Sequence, residues 1–190
     1  ALEDAGLTPD DVDGIINSDF DATNQIDVIN TVGLRNIGAY ATIPHGGGSP
    51  CGTVAQAAMM VASGASRCVV AYRSLNERSG HRYGSSEAIP TFPWCRYDYC
   101  LETDGAVAYV VTSAGRAGSL RSVPAYIHTA VQSATYPIWY QTNWYRESLT
   151  TGSEVVALGE SLWRKSGLGP QNIDVAQIYD HFAPYVIFAL

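Results

Sequence analysis

Apolar residues come in short runs separated by turn residues, and two periods alternate along the chain. Leu2 to Gly6 predicts the end of a helix, with Gly6 as its C′ residue and Pro9 just beyond. Val12 to Asn17 is a short apolar run suited to a buried strand, and Ala39 to Ile43 suits another. Between them, Ile26, Ile29 and Val32 give Asn24 to Gly33 a helical spacing. Ser49 as N-cap and Pro50 as first helical residue predict a helix through Cys51 to Ala62, ended by Gly64. Its small residues, Ala55, Ala57, Ala58 and Ala62, suit burial on nearly every side. Cys68 to Tyr72 shows no alternation, as in a parallel strand covered on both faces. Arg73 to Trp94 is polar and rich in Gly, Ser and Arg and predicts an irregular loop. Asp104 to Val111 predicts a buried strand, Arg116 to Ser122 a linker, Val123 to His128 a strand, and Ser153 to Ser166 a helix with Gly167 as C′. Tyr136 to Tyr145 is dense in aromatics, including Trp139 and Trp144, and suits a core or a subunit interface.

The last stretch breaks the rhythm. Val175 to Tyr179 predicts a strand that ends abruptly in Tyr179-Asp180-His181, and a new apolar segment starts at once with Pro184 in a helix's first turn. Asp180 or His181 is then expected at the helix start, where free N–H groups favour negative charge. In alternating α/β sheets, ligands bind at such carboxyl ends of strands. The turn that precedes this stretch is also a repeat. Gly6-Leu7-Thr8-Pro9 followed by Val12-Asp13 recurs as Gly167-Leu168-Gly169-Pro170 followed by Ile173-Asp174. Two similar α/β halves are expected, residues 1–112 (with the loop at 73–94) and 113–190. The chain opens without Met inside a helix and closes at Leu190 in an apolar segment, which suggests part of a longer polypeptide.

Composition narrows the function classes. At 190 residues and 46% hydrophobic, the chain is long and apolar enough for a core. A net charge of −7 without a Lys/Arg cluster argues against nucleic acid or an anionic membrane surface as partner. Lys165 is the only lysine, which leaves little scope for a Schiff base or a P-loop. No apolar run reaches the roughly 18 residues of a membrane span, and no signal-peptide pattern opens the chain. Cys51, Cys68, Cys95 and Cys100 lack zinc-site spacing and are expected to be reduced thiols of a cytoplasmic protein.

Several groups can carry chemistry. Backbone N–H groups of the Gly46-Gly47-Gly48 loop, leading into a helix, can cradle an anion or an oxyanion; a tight turn that lets the helix approach the sheet explains the glycines equally well. Cys51 in that helix's first turn suits a dipole-stabilised thiolate, although a buried structural cysteine is the commoner case. Gly105 is a place where backbone can approach a ligand, or only the entry to a strand. His45, His81 and His128 show no metal-ligand spacing. Tyr179, Asp180 and His181 combine three proton-handling groups in one turn; helix capping by Asp180 is the simpler alternative.

The Gly-Leu-x-Pro repeat, the glycine loop into an Ala-rich helix, Thr103-Asp104-Gly105-Ala106 and Ile178-Tyr179-Asp180-His181-Phe182-Ala183 occur in the order found in the thiolase superfamily. Within it the chain most resembles the sterol-carrier or lipid-transfer-protein branch. Ser74-Leu75-Asn76-Glu77-Arg78-Ser79-Gly80 and Tyr179-Asp180-His181-Phe182 are similar to its bacterial members that act as retro-aldolases on steroid side-chain acyl-CoA esters. The resemblance implies a layered αβαβα thiolase-like fold, a homodimer and a separate OB-fold acyl-CoA-binding partner. It also implies cleavage of a β-hydroxyacyl-CoA to a ketone and a shorter acyl-CoA such as propionyl-CoA. CoA then enters as part of the substrate, and neither a further cofactor nor a metal is expected.

Two departures from the superfamily bear on mechanism. The thiolase nucleophile's place falls near Gly47, one turn before Cys51, and Asn-Glu-Ala-Phe is replaced by Tyr179-Asp180-His181-Phe182. Tyr179 is therefore the expected acid/base, His181 a donor or shuttle, and Gly46 to Gly48 with Gly105 the oxyanion donors. The chain is also much shorter than its relatives between Gly84 and Trp94, where they build a substrate-channel loop domain. A sterol-carrier-type thiolase using Cys51 and a non-catalytic acyl-CoA-binding scaffold are the alternatives.

Overall fold

The computed structural model describes residues 1–44, 48–80, 98, 100–134, 148 and 154–190. They fall into two compact units, Ala1–Leu75 with Gly105–Ala130, and Asn76–Asp104 with Val131–Leu190.

The first unit is an α/β sandwich around a four-stranded sheet. Its elements are α1 (Leu2–Ala5), β1 (Gly14–Ser18), α2 (Gln25–Val32), β2 (Ala39–Ile43), α3 (Ser49–Ala62), β3 (Cys68–Asn76), β4 (Asp104–Thr112) and α4 (Ala114–Ala117), with sheet order β2-β1-β3-β4. β1 runs parallel to both neighbours, with Gly14 beside Ala39 on one side and beside Val69 on the other. Successive strand residues point to opposite faces. Ile16, Val69 and Ala71 therefore pack with Ala57 and Met60 of α3. Ile15, Cys68, Val70 and Tyr72 pack with Leu34, Val28 and Ile29 around α2 on the other face. Val12, Ile15, Ile16 and Val69 are fully buried, each contributing about 1.5–3 kcal/mol of transfer free energy. The crossover from β1 to β2 moves one way along the sheet and that from β2 to β3 moves the other. A single crossover hand thus places α2 and α3 on opposite faces and makes the carboxyl end of β1 a topological switch point.

Local signals set the ends of these elements. Asn24 caps α2 by accepting from the Asp27 N–H at 3.0 Å, and Gly33 ends it at φ 78°. Gly6 ends α1 at φ 72°, and a Cβ there would stand 3.2 Å from the Arg121 Cβ, so both backbone and space call for glycine. The predicted linker at 116–122 is in part α4 and is tied down. Arg116 pairs with Asp11 at 2.8 Å, and Arg121 donates through its guanidinium to Glu3 O at 3.0 Å.

Five expectations are corrected in this unit. Ser49 is the first residue of α3 with Gly48 at the N-cap, and its hydroxyl bonds Ser18 and Arg73 in place of capping the helix. α3 is buried on one side only, with Cys51 exposed and Met59 53% exposed, because it covers a single face of the sheet. β3 continues through Arg73 to Asn76, where a loop was expected; the β1 ladder reaches only Ala71, and β4 lies on the other side of β3. β4 forms where predicted, but Val107 is 66% exposed and only Val111 is buried; the strand lies at the sheet's edge. Val123 to His128 forms no strand, and Val123 is 96% exposed. β-propensity is realised only against a ladder partner, and the described residues supply none here.

The second unit holds α5 (Glu154–Ser166) and α6 (Ala183–Ala189), which pack on one another. The repeat is visible in its geometry. Gly167 ends α5 at φ 70°, as Gly6 ends α1. In the first copy the Thr8 N–H donates to the Asp11 carboxylate at 2.9 Å; in the second the Gly169 N–H donates to Asn172 Oδ1 at 2.9 Å. A 3-10 turn follows in each, Pro9–Asp11 and Pro170–Asn172. The copies then part. Val12 leads into β1, whereas residues 174–180 form no strand, and Val175 is 74% exposed. The strand expected before Tyr179 is therefore not formed, for the same lack of a partner. Asp104, from the Thr-Asp-Gly-Ala motif, accepts from the Arg78 and Ser79 N–H groups at 2.8 and 3.1 Å. Hydrogen bonds from Ser79 and Arg78 hold its carboxyl below the usual range, so the motif's Asp fastens the turn after β3. The aromatic run Tyr136 to Tyr145, His45, His81 and Cys95 lie outside the described residues.

Candidate active site

In the first unit, polar groups gather at the switch point. The Asp21 side chain is fully buried and accepts from the Ser18 and Ser74 N–H groups at 2.7 Å each. It thereby joins the ends of β1 and β3, and the Arg73 guanidinium lies 3.7 Å from it. Arg73 also donates to Ser49 Oγ at 3.3 Å, and Ser49 Oγ donates to Ser18 Oγ at 2.7 Å. Tyr109 of β4 bonds the Thr53 hydroxyl and donates to Pro50 O at 3.0 Å; burial raises its phenol pKa. A cation and a polar network thus sit at the amino end of α3, where the dipole already favours negative charge. Gly48 caps this helix at φ −76°, a backbone any residue adopts, and Cys51 is exposed in its first turn. Gly46 and Gly47 lie outside the described residues. Gly105 opens β4 in an exposed position, with nothing within 4 Å of the place of a Cβ.

Ser18, Asp21, Arg73 and Tyr109 were not among the residues singled out from the sequence. Asp19 and Asp21 directly after a fully buried strand were the available signal. Arg73 was hidden by the expectation that a loop began there.

In the second unit, Tyr179, Asp180 and His181 come together just before α6. Phe182, not Asp180 or His181, is the N-cap of α6, and Pro184 stands in its first turn as expected. Tyr179 stacks on His181 with centroids 5.2 Å apart, and His181 meets Phe182 and Tyr185 at 5.0 Å each. Tyr185 continues the row to Phe188 at 5.4 Å. These rings fix His181 against α6 while Tyr179 stays 55% exposed. Burial pushes the His181 pKa down, against the opposing pull of the Tyr179 backbone and the Asp180 carboxylate. Its Nδ1 is buried without a hydrogen-bond partner among the described residues. The imidazole is therefore neutral near pH 7 and able to accept or relay a proton. The Tyr179 hydroxyl lies 3.5 Å from Cys100 Sγ, and the Cys100 N–H donates to His181 O at 3.3 Å. Cys100 carried no sequence signal, because only the fold brings residues 79 positions apart together.

Cys51, Cys68 and Cys100 are free thiols, and Cys68 is buried in the core, which pushes its pKa up. Among the described residues no group of three or more His, Cys, Asp or Glu side chains could hold a metal ion. No helix among them is long and apolar enough to cross a membrane.

The chain is 30% identical to the 17-hydroxy-3-oxo-4-pregnene-20-carboxyl-CoA lyase of Mycobacterium tuberculosis, over 100% of this chain and 70% of that protein. It is also 30% identical to the steroid side-chain-cleaving aldolase of Thermomonospora curvata, over 98% of this chain and 68% of that protein. The first alignment spans 269 residues, more than the 190 here, so the relative carries segments with no counterpart in this chain. Among solved structures, the Ltp2-ChsH2(DUF35) aldolase superposes with a TM-score of 0.88 at 30% identity, covering 100% of this chain and 68% of that one. No protein-family model matches. An α/β chain with these relatives is an enzyme of the lyase class. It belongs to the family of these steroid side-chain CoA lyases and aldolases.

Proposed function

We propose that this chain is a retro-aldolase that cleaves a β-hydroxyacyl-CoA, a steroid side-chain CoA ester, into a ketone and propionyl-CoA. The observation that carries the reading is the exposed Tyr179 hydroxyl beside Cys100 and stacked on a neutral His181, in a chain 30% identical to two such enzymes. The substrate named for the Mycobacterium relative has its hydroxyl on carbon 17 and its CoA carboxyl on carbon 20. That hydroxyl is β to the thioester carbonyl, which is the arrangement retro-aldol chemistry requires. Tyr179 takes the hydroxyl proton, the C–O bond becomes C=O, and the electrons of the bond between carbons 17 and 20 pass to the thioester as an enolate. The same proton returns to carbon 20. The enolate oxygen calls for fixed donors, and the N–H groups of Gly46 to Gly48 and Gly105 are assigned that role. Arg73 beside the start of α3 adds positive charge for an anionic CoA ester. His181 serves as shuttle, and Asp180 orients it.

The finer assignments belong to the same proposal: a thiolase-like layered fold of the lipid-transfer-protein branch with halves 1–112 and 113–190, a cytoplasmic homodimer, and an OB-fold acyl-CoA-binding partner. β2 at the sheet's edge, with Tyr40 76% exposed, is where a second copy would pair. A second reading, acyl transfer through Cys51, is favoured by that thiol's exposure in the first turn of α3. The two separate in one experiment. Incubation of 17-hydroxy-3-oxo-4-pregnene-20-carboxyl-CoA with the full-length protein and its partner, followed by mass spectrometry, should yield the 17-ketone and propionyl-CoA, unchanged in Cys51→Ala. Absence of ketone, or loss of all turnover in Cys51→Ala, contradicts the proposal.

A further inference from the structure

We propose that Cys100 is a positioning residue that shares a proton with Tyr179, so that the pair rather than the phenol alone is the base. The inference rests on the reading of Tyr179 as acid/base given above. Sγ lies 3.5 Å from the Tyr179 hydroxyl, and either atom can donate. The backbone fixes this approach, because the Cys100 N–H donates to His181 O two residues beyond Tyr179. Both side chains are exposed, so a substrate can reach the phenol.

The chemistry follows from the order of acidities. A thiol loses its proton near pH 8.5 and a phenol near 10, so a hydrogen-bonded pair gives up its first proton more readily than a lone phenol, and the charge rests mainly on sulfur. Tyr179 then donates to the thiolate. As the substrate hydroxyl loses its proton to the Tyr179 oxygen, the Tyr179 proton moves to sulfur. The C–C bond breaks and the negative charge passes to the enolate. In the return step the enolate carbon takes the proton from Tyr179, Tyr179 recovers one from sulfur, and the thiolate–phenol pair is restored. Among the described residues, titratable groups beside the pair include Asp180, next to Tyr179 in the chain, His181, stacked on it, and Tyr185, against His181.

The test is the pH dependence of kcat/KM for the full-length enzyme with its partner, on 17-hydroxy-3-oxo-4-pregnene-20-carboxyl-CoA, for the parental protein and Cys100→Ala, Cys100→Ser and Tyr179→Phe. Cys100→Ala should move the limb on which activity rises with pH upward by about one unit, toward the ordinary phenol range, with a roughly tenfold loss near neutral pH. Cys100→Ser should behave like Cys100→Ala, because an alcohol does not ionise in this range, while circular dichroism shows both folded. An unshifted limb in Cys100→Ala, or full recovery in Cys100→Ser, overturns the pair. If Tyr179→Phe is inactive while the Cys100→Ala profile is unshifted, this inference alone fails. If Tyr179→Phe retains full turnover, the assignment of Tyr179 fails and the pair with it.

Discussion

His181 is where burial and charge compete most openly. Its ring is packed against Phe182 and Tyr185, and desolvation holds its pKa below the ordinary value of about 6.5. A group with a depressed folded pKa binds more protons when unfolded, so its contribution to stability is present above about pH 6.5 and is lost as pH falls through the lower folded value. Chemical denaturation between pH 7.5 and 5 should show stability falling across that window, and His181→Phe should flatten this part of the curve. A parental curve that rises as the pH drops would contradict the burial. Asp21 makes the opposite case of a buried charge that is well satisfied. Removing it orphans the Ser18 and Ser74 N–H groups and leaves the Arg73 guanidinium without its carboxylate. Asp21→Ala should cost about 2–4 kcal/mol in a denaturant titration; a change under about 0.5 kcal/mol would mean that water replaces the carboxylate at no cost.

Among elements, the two Gly-Leu-x-Pro turns offer a matched comparison. Both glycines adopt positive φ, at 72° and 70°, but only Gly6 has a neighbouring side chain within contact of a Cβ. Gly167→Ala should cost about 1 kcal/mol, the ordinary price of the left-handed region, and Gly6→Ala measurably more. Equal costs would show that Arg121 simply moves aside. These turns and the extent of α2 were legible in the sequence because each depends on its own residues. The strands at 123–128 and 175–179 were not. Their Val, Ile and Tyr content is right for strands, but a strand also needs a ladder partner, which no local pattern reveals. The same holds for β4, whose apolar run gave no sign that it lies at an edge, and for Arg73 to Asn76, polar residues that continue β3 beside β4. Of the candidate site, Tyr179, Asp180, His181 and Cys51 could be picked out by residue type and punctuation. Cys100, Arg73 and Tyr109 could not, since long-range packing alone gives them partners.

At the scale of the whole molecule, each unit offers its own chemistry. The sheet's switch point with α3 and Arg73 is suited to an anionic thioester, and the Tyr179 cluster is suited to proton transfer. Family membership at 30% identity to a CoA lyase and a side-chain-cleaving aldolase gives the reaction class. The central claim is that Tyr179 is the acid/base of a retro-aldol cleavage. It is tested most directly by the rate at which ketone forms from 17-hydroxy-3-oxo-4-pregnene-20-carboxyl-CoA with the parental protein and with Tyr179→Phe, each assembled with the proposed OB-fold partner. The account predicts steady ketone formation by the parental protein and a loss of about 10²–10⁴-fold in Tyr179→Phe with its fold intact. Equal rates in the two proteins would contradict it.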